Sequence, residues 1–195
     1  MSSINNSHHP ATSRVEAFIE PAADGFALGG FAWRHADSAG VRPVVIINAA
    51  TSVRCRHYSR FADYLFANGM DVITYDYRGI GESRPATLRG LKASWTDWGA
   101  LDFEAMLQRA TREHPGQPID VVAHSFGGCA VGLAALPFAR VKAPEDIDES
   151  EVGHFAFFRS QYQEKLWPIA LHWLEKGELR AGTPGKIGIA AAHGG

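Results

Sequence analysis

The chain has 195 residues, 46% of them hydrophobic, enough for one sizeable core and best read as a single domain. Nineteen Lys and Arg against 21 Asp and Glu give a formal net charge of −2, with no basic block or basic helix face to follow a phosphate backbone, which argues against nucleic acid as a partner. The amino terminus lacks the apolar run of a signal peptide, and the longest aliphatic run, Val44 to Ile47, is far short of the ~20 residues that span a bilayer, so no membrane partner and a cytoplasmic location are expected.

Residues 1–13 are polar and unpatterned, and 178–195 are rich in small residues without an apolar period; both are expected to be loose tails around a domain spanning 14–177. "RVEAFIEP" and "GFALGGFAW" are short strand-like runs joined by the turn signal "AADG", which predicts an opening hairpin. The pattern then alternates between strand and helix. "RPVVIINAA" is a buried strand, followed by Tyr58, Phe61, Ala62 and Leu65 on one helical stripe that stops at Gly69. "MDVITYDYRG" is the next strand; after a long loop, Ser94 and Asp97 form a candidate capping box for a helix carrying Phe103, Met106, Leu107 and Ala110, stopped by "HPG". "PIDVVAHSFGG" opens a third unit. Tyr162, Leu166, Ile169, Ala170 and Trp173 mark a last helix that covers the sheet, with Pro168 near its start or at a kink. The fold class is therefore α/β: a mostly parallel central sheet with helices on both faces and binding residues at the carboxyl ends of its strands. Cys55 and Cys129 lack metal-ligand spacing and read as two thiols of a reducing compartment; no metal or cofactor is expected.

Ser125 lies where the third buried strand gives way to a helix. Presenting a serine above a sheet needs a very sharp turn, with small residues two before and two after it. Here these are Ala123 and Gly127. Taken alone, such a junction is at least as well read as a strand meeting a helix, since short motifs recur by chance. Two more segments bear on it. "YDYRGIGES" follows the second strand; its Gly79-Ile80-Gly81 invites a nucleotide-binding reading, but a dinucleotide fingerprint opens a helix directly after a first strand, and this stretch leads into a long polar loop. "GHFAFFR" places His154 after the serine, and histidine is the side chain best matched to take a hydroxyl proton near neutral pH, although an isolated histidine is more often structural.

"NAATS", "DYRGIGES", "AHSFGG" and "GHFAFFRSQYQEKLWPIALHWL", in that order over roughly residues 14–176, resemble the α/β-hydrolase superfamily, and most closely a bacterial group of predicted serine hydrolases within it. The resemblance implies that Ser125 is the nucleophile and His154 its general base. It implies an oxyanion hole made by the backbone N–H of Phe126 and a second N–H from the "NAATS" loop, Ala50 or Thr51. The substrate class would be a small-molecule ester or similar acyl compound, cleaved through a covalent acyl-enzyme without a cofactor.

The chain departs from the family between these residues. Ala123 stands where the family pattern has glycine, and only 29 residues separate Ser125 from His154. One strand–helix–strand unit takes about 30 residues, so "GGCAVGLAAL" and a strand at "FARVKAP" fill the interval. The lid and the loop that carries the triad acid have no counterpart, which makes this a shortened α/β-hydrolase fold. Loss of the acid can cost about 10⁴ in rate, so weak activity is expected, and a non-catalytic or truncated member is the alternative. Glu145, Asp146, Asp148, Glu149 and Glu151 read as a solvated loop, with Asp148 and Asp146 the least implausible substitutes. Asp76 reads as part of a turn, Cys129 as packing, Arg56 and His57 as neighbours of the oxyanion loop, and His124 as pointing into adjacent loops.

Overall fold

The computed structural model describes residues 15–36, 42–134 and 157–177. The opening hairpin is present, with β1, Val15–Pro21, antiparallel to β2, Ala27–Trp33. β3, Val44–Asn48, β4, Asp71–Tyr75, and β5, Ile119–Ala123, complete a five-stranded sheet of order β1-β2-β4-β3-β5. β2 is antiparallel to β4, while β3 is parallel to both β4 and β5. Two successive reversals bring β1 back into the common direction, so only β2 opposes the rest: the sheet is mostly but not purely parallel. Every residue of β3 and β4 is buried, the signature of strands covered on both faces.

Side-chain alternation identifies the two layers. Phe18 pairs with Gly30, and the Arg109 guanidinium lies 3.9 Å from the Phe18 ring centroid, while Arg109 and Arg112 pair with Glu20. Both arginines belong to α3, Glu104–Glu113, which therefore covers this face. Phe31 and Trp33 alternate to the other face. There the Trp33 indole N–H donates to Asp63 at 2.7 Å, in α1, Ser59–Ala67. The last helix, α5, Trp167–Lys176, packs on α1, with the Trp167 ring 5.2 Å from Phe61 and 5.3 Å from Tyr64.

Tyr58, Phe61, Ala62 and Leu65 are fully buried, as are Phe103, Met106, Leu107 and Ala110. Tyr58 itself sits in a 3₁₀ turn, Cys55–Tyr58, that leads into α1. The capping box also forms: the Ser94 hydroxyl accepts the Asp97 N–H, and the Asp97 carboxylate accepts the Ser94 N–H at 2.7 Å. Where one helix is expected, however, a single turn, α2, Trp95–Asp97, passes through a π-helical stretch, Trp98–Phe103, before α3. The final helix begins later than its stripe suggests. Tyr162 lies in a separate 3₁₀ turn, and α5 starts around Pro168, whose fixed φ and missing N–H suit the first turn. Trp167, outside the expected stripe, is its fully buried anchor and donates its indole N–H to Phe157 O at 2.7 Å. The strand expected at "FARVKAP" lies outside the described residues. Among the described residues, no helix is long and apolar enough to cross a membrane.

Candidate active site

β5 ends at Ala123, opposite Asn48 in parallel register, so the loops after β3 and β5 leave the sheet side by side. Two residues later Ser125 takes φ 53° and ψ −119°, and it is exposed. A side chain in that region costs of order 1–3 kcal/mol of backbone strain, a cost that persists only where the surroundings impose it. They do so from both sides. Gly127 N–H donates to His124 O and Gly128 N–H to Ser125 O, each at 2.9 Å, starting α4, Phe126–Val131, directly after the serine. A Cβ on Gly127 would lie 2.5 Å from Asn48 O, so α4 meets the end of β3 at a distance only glycine allows. Ala123, at the other small position, is exposed and its methyl meets no such limit. As the first residue of α4, Phe126 carries one of the N–H groups that a helix leaves without an internal partner.

The loop after β3 is a tight turn in which Val53 N–H donates to Ala50 O at 3.1 Å and Ser52 takes φ 62°. Ser52 and Ser125 are the two non-glycine residues with positive φ among those described, and they follow neighbouring strands. The two expected loop donors fare differently. Ala50 is buried and its N–H is donated to the Tyr58 hydroxyl at 3.0 Å, which commits it elsewhere; Thr51 is exposed at the same strand end. The Tyr58 hydroxyl also lies 2.9 Å from His124 Nδ1, so His124, buried, turns back onto the loop after β3. Burial raises the Tyr58 phenol well above its ordinary pKa, against the lowering bond from Ala50.

Several other described side chains near this end are engaged with partners of their own. Asp76 accepts Cys55 N–H at 2.7 Å and Glu82 N–H at 2.8 Å, and its backbone carbonyl accepts the Ser83 hydroxyl, so the carboxylate ties two loops together as its turn context suggests. Arg78 and Asp102 form a buried pair that sequence reading missed. Asp102 accepts the Arg78 N–H at 2.9 Å and its Nε–H at 2.8 Å, and the guanidinium continues to Asp24 at 2.7 Å. Burial raises the Asp102 pKa despite these bonds. The only sequence signal would have been an Asp inside an otherwise apolar stripe. Gly79-Ile80-Gly81 leads into a 3₁₀ turn, Gly81–Ser83, and not into a helix, so the nucleotide reading has no support. Arg56 is paired with Glu82 at 2.9 Å and lies over the Phe31 ring. His57 stands edge-on to Tyr58, its pKa lowered by burial and then by Arg159. Cys129 is an exposed free thiol and Cys55 a buried one. Ser125, Phe126, Ala50 and Thr51 thus lie in the two neighbouring loops at the carboxyl end of the sheet. His154, Asp146 and Asp148 lie outside the described residues. No group of three or more His, Cys, Asp or Glu able to hold a metal occurs among the described residues.

Among solved structures the chain is similar to DcsB in complex with its substrate analogue, at 17% identity and a TM-score of 0.51, covering 60% of this chain and 39% of that one. It is also similar to a cold-adapted esterase from an Arctic intertidal metagenomic library, at 21% identity and a TM-score of 0.47, covering 68% of this chain and 58% of the other. A soluble variant of monoglyceride lipase from Saccharomyces cerevisiae aligns at 25% identity and a TM-score of 0.48, covering 62% of this chain and 39% of the lipase. The chain spans less than two thirds of the length of each. No curated protein matches it. The family model described as serine aminopeptidase, S33, matches residues 39–167. With that match over most of its length, and with a strand–turn–helix junction at the end of a largely parallel sheet, the chain belongs to this family of α/β hydrolases.

Proposed function

We propose that the chain is a serine hydrolase that cleaves a small-molecule ester or similar acyl compound, with Ser125 as nucleophile. The observation that carries this reading is the strained backbone of an exposed Ser125 at the carboxyl end of β5, held by the close approach of Gly127 to Asn48. Strain of this kind gathers at functional sites, and a sharp strand-to-helix turn is the setting in which a serine nucleophile is presented. Ser125 Oγ would attack the ester carbonyl carbon while its proton passes to a base. The alcohol then leaves carrying that proton, and water cleaves the acyl-serine to release the acid and restore the hydroxyl. His154 is the base that the sequence order supplies. The developing oxyanion would be met by the Phe126 N–H and by the Thr51 N–H, since Ala50 already donates to Tyr58.

Activity is expected to be slight. An imidazole base needs an orienting carboxylate, and the two buried carboxylates described at this end are committed elsewhere, Asp76 to the Cys55 and Glu82 N–H groups and the Cys55 thiol, and Asp102 to the Arg78 N–H and guanidinium. The same commitment favours, as a second reading, a non-catalytic member of the family. A fluorophosphonate probe separates the two. Labelling that disappears in Ser125→Ala, with slow turnover of p-nitrophenyl acetate, supports the hydrolase; inertness toward probe and ester alike supports the non-catalytic reading. Brisk turnover of unactivated esters would contradict the expected weakness and direct attention to Asp148→Asn and Asp146→Asn.

A further inference from the structure

Five large apolar side chains are exposed among the described residues. Val15 and Ile19 lie on β1, the edge strand, and Leu88 lies near Gly79 in the loop after β4. Of the other two, Trp95 stands beside the residue that follows Ser125, and Leu133 lies just past α4 against Gly99. The Trp95 ring is 65% exposed, and its centroid is 5.5 Å from that of Phe126 in an edge-to-face arrangement. Beneath, Trp98 and Tyr77 stack at 4.9 Å, and both present edges to Phe126 at 5.4 and 6.2 Å. One turn on from Trp95, Gly99 admits α4 so closely that an added Cβ would lie 2.5 Å from Leu133 Cβ. Trp95 and Phe126 therefore form one exposed aromatic surface next to the serine.

Trp95 is also held in place. The Ser94–Asp97 capping box brackets it, and the flanking Ser94 and Thr96 hydroxyls lie 2.7 Å apart, which fixes the backbone that carries the indole. A large aromatic fixed in water is a standing cost unless something covers it, and contiguous exposed apolar surface beside a reactive group is the usual lining of a ligand site. We propose that Trp95 is a substrate-contacting residue whose indole, with Phe126, forms the wall that takes the apolar chain of an acyl group bound at Ser125. The preferred substrates are then esters of medium-length straight-chain acids, with acetates the poorer class. This inference rests on Ser125 being the nucleophile.

Each methylene moved from water onto such a surface is worth up to about fourfold in rate, so two covered methylenes suffice for about tenfold. The test compares the rates at which a methyl and an octyl fluorophosphonate label Ser125, read by intact mass. The octyl probe is expected to be faster by tenfold or more in the parent chain. Trp95→Ala should reduce that ratio to within about threefold, and Trp95→Phe should keep most of it. Ile19→Ala, which removes an exposed apolar side chain on the edge strand, should leave the ratio unchanged; circular dichroism verifies that each variant is folded. An unchanged octyl-to-methyl ratio in folded Trp95→Ala overturns the role of Trp95 and leaves Ser125 as nucleophile. Absence of Ser125 labelling by either probe overturns both.

Discussion

The Tyr58 hydroxyl stands 2.9 Å from His124 Nδ1 while accepting the Ala50 N–H at 3.0 Å, so one phenol joins the loop after β3 to the residue before Ser125. Because burial keeps the phenol protonated, its single hydrogen is available to the imidazole while its oxygen accepts from Ala50. Tyr58→Phe keeps the ring and its edge-on contact with Phe158 but leaves the buried Ala50 N–H without its acceptor. A stability loss of about 1–3 kcal/mol is expected, measured by urea denaturation. A loss under a few tenths would show that water or a shift of the loop replaces the hydroxyl.

Much of the frame was legible because it is written locally. The Phe61, Ala62 and Leu65 stripe, the Ser94–Asp97 cap and the "AADG" turn each depend on neighbours within about one helical turn or one hairpin, where residue type alone carries the signal. What was missed depends on pairings distant in sequence. Arg78 with Asp24, Tyr58 with His124 and Trp33 with Asp63 join residues 54, 66 and 30 positions apart, and no periodicity announces them. The site divides along the same line. Ser125 and Gly127 could be picked out because a sharp strand-to-helix turn needs small residues nearby, whereas the engagement of the Ala50 N–H appears only when the Cys55–Tyr58 turn folds back on the loop.

Ser125 itself offers a test of backbone strain that is independent of chemistry. At φ 53° and ψ −119° a Cβ is disfavoured and glycine is not. Ser125→Gly should therefore be more stable than Ser125→Ala by about 1 kcal/mol, the relief of native-state strain outweighing the greater chain entropy that glycine gives the unfolded state. Thermal or urea unfolding of the two variants checks it. Ser125→Ala equal to or more stable than Ser125→Gly would mean that the turn stores no strain.

The two cysteines should differ sharply in reactivity. Cys55 Sγ lies 3.3 Å from an Asp76 carboxylate oxygen, and burial together with that charge raises its pKa far above the ordinary thiol value, which suppresses the reactive thiolate. Cys129 is exposed. Titration with a maleimide in native buffer should give one fast equivalent, abolished by Cys129→Ser, and a second only on unfolding. Two fast equivalents would show that the Cys55 region opens readily.

Asp71 predicts the acid limb of stability. It is buried at the start of β4, accepts the His35 N–H at 2.9 Å and faces His35 Nδ1 at 2.9 Å and His114 Nδ1 at 3.2 Å. Burial alone would raise its pKa, but the bonds from His114 and His35 outweigh it and pull the carboxyl from 3.8 to about 2. A carboxyl depressed in the folded state stabilises the fold above its unfolded pKa, and that contribution is lost as pH falls toward the folded value. The urea midpoint of the parent chain should therefore drop between pH 4 and about 2. Asp71→Asn, which keeps the size and one acceptor but cannot titrate, should be less stable than the parent at pH 5 and should lose less between pH 4 and 2. If both chains lose stability equally across that window, the acid sensitivity arises elsewhere and the His35–Asp71–His114 cluster is not its source.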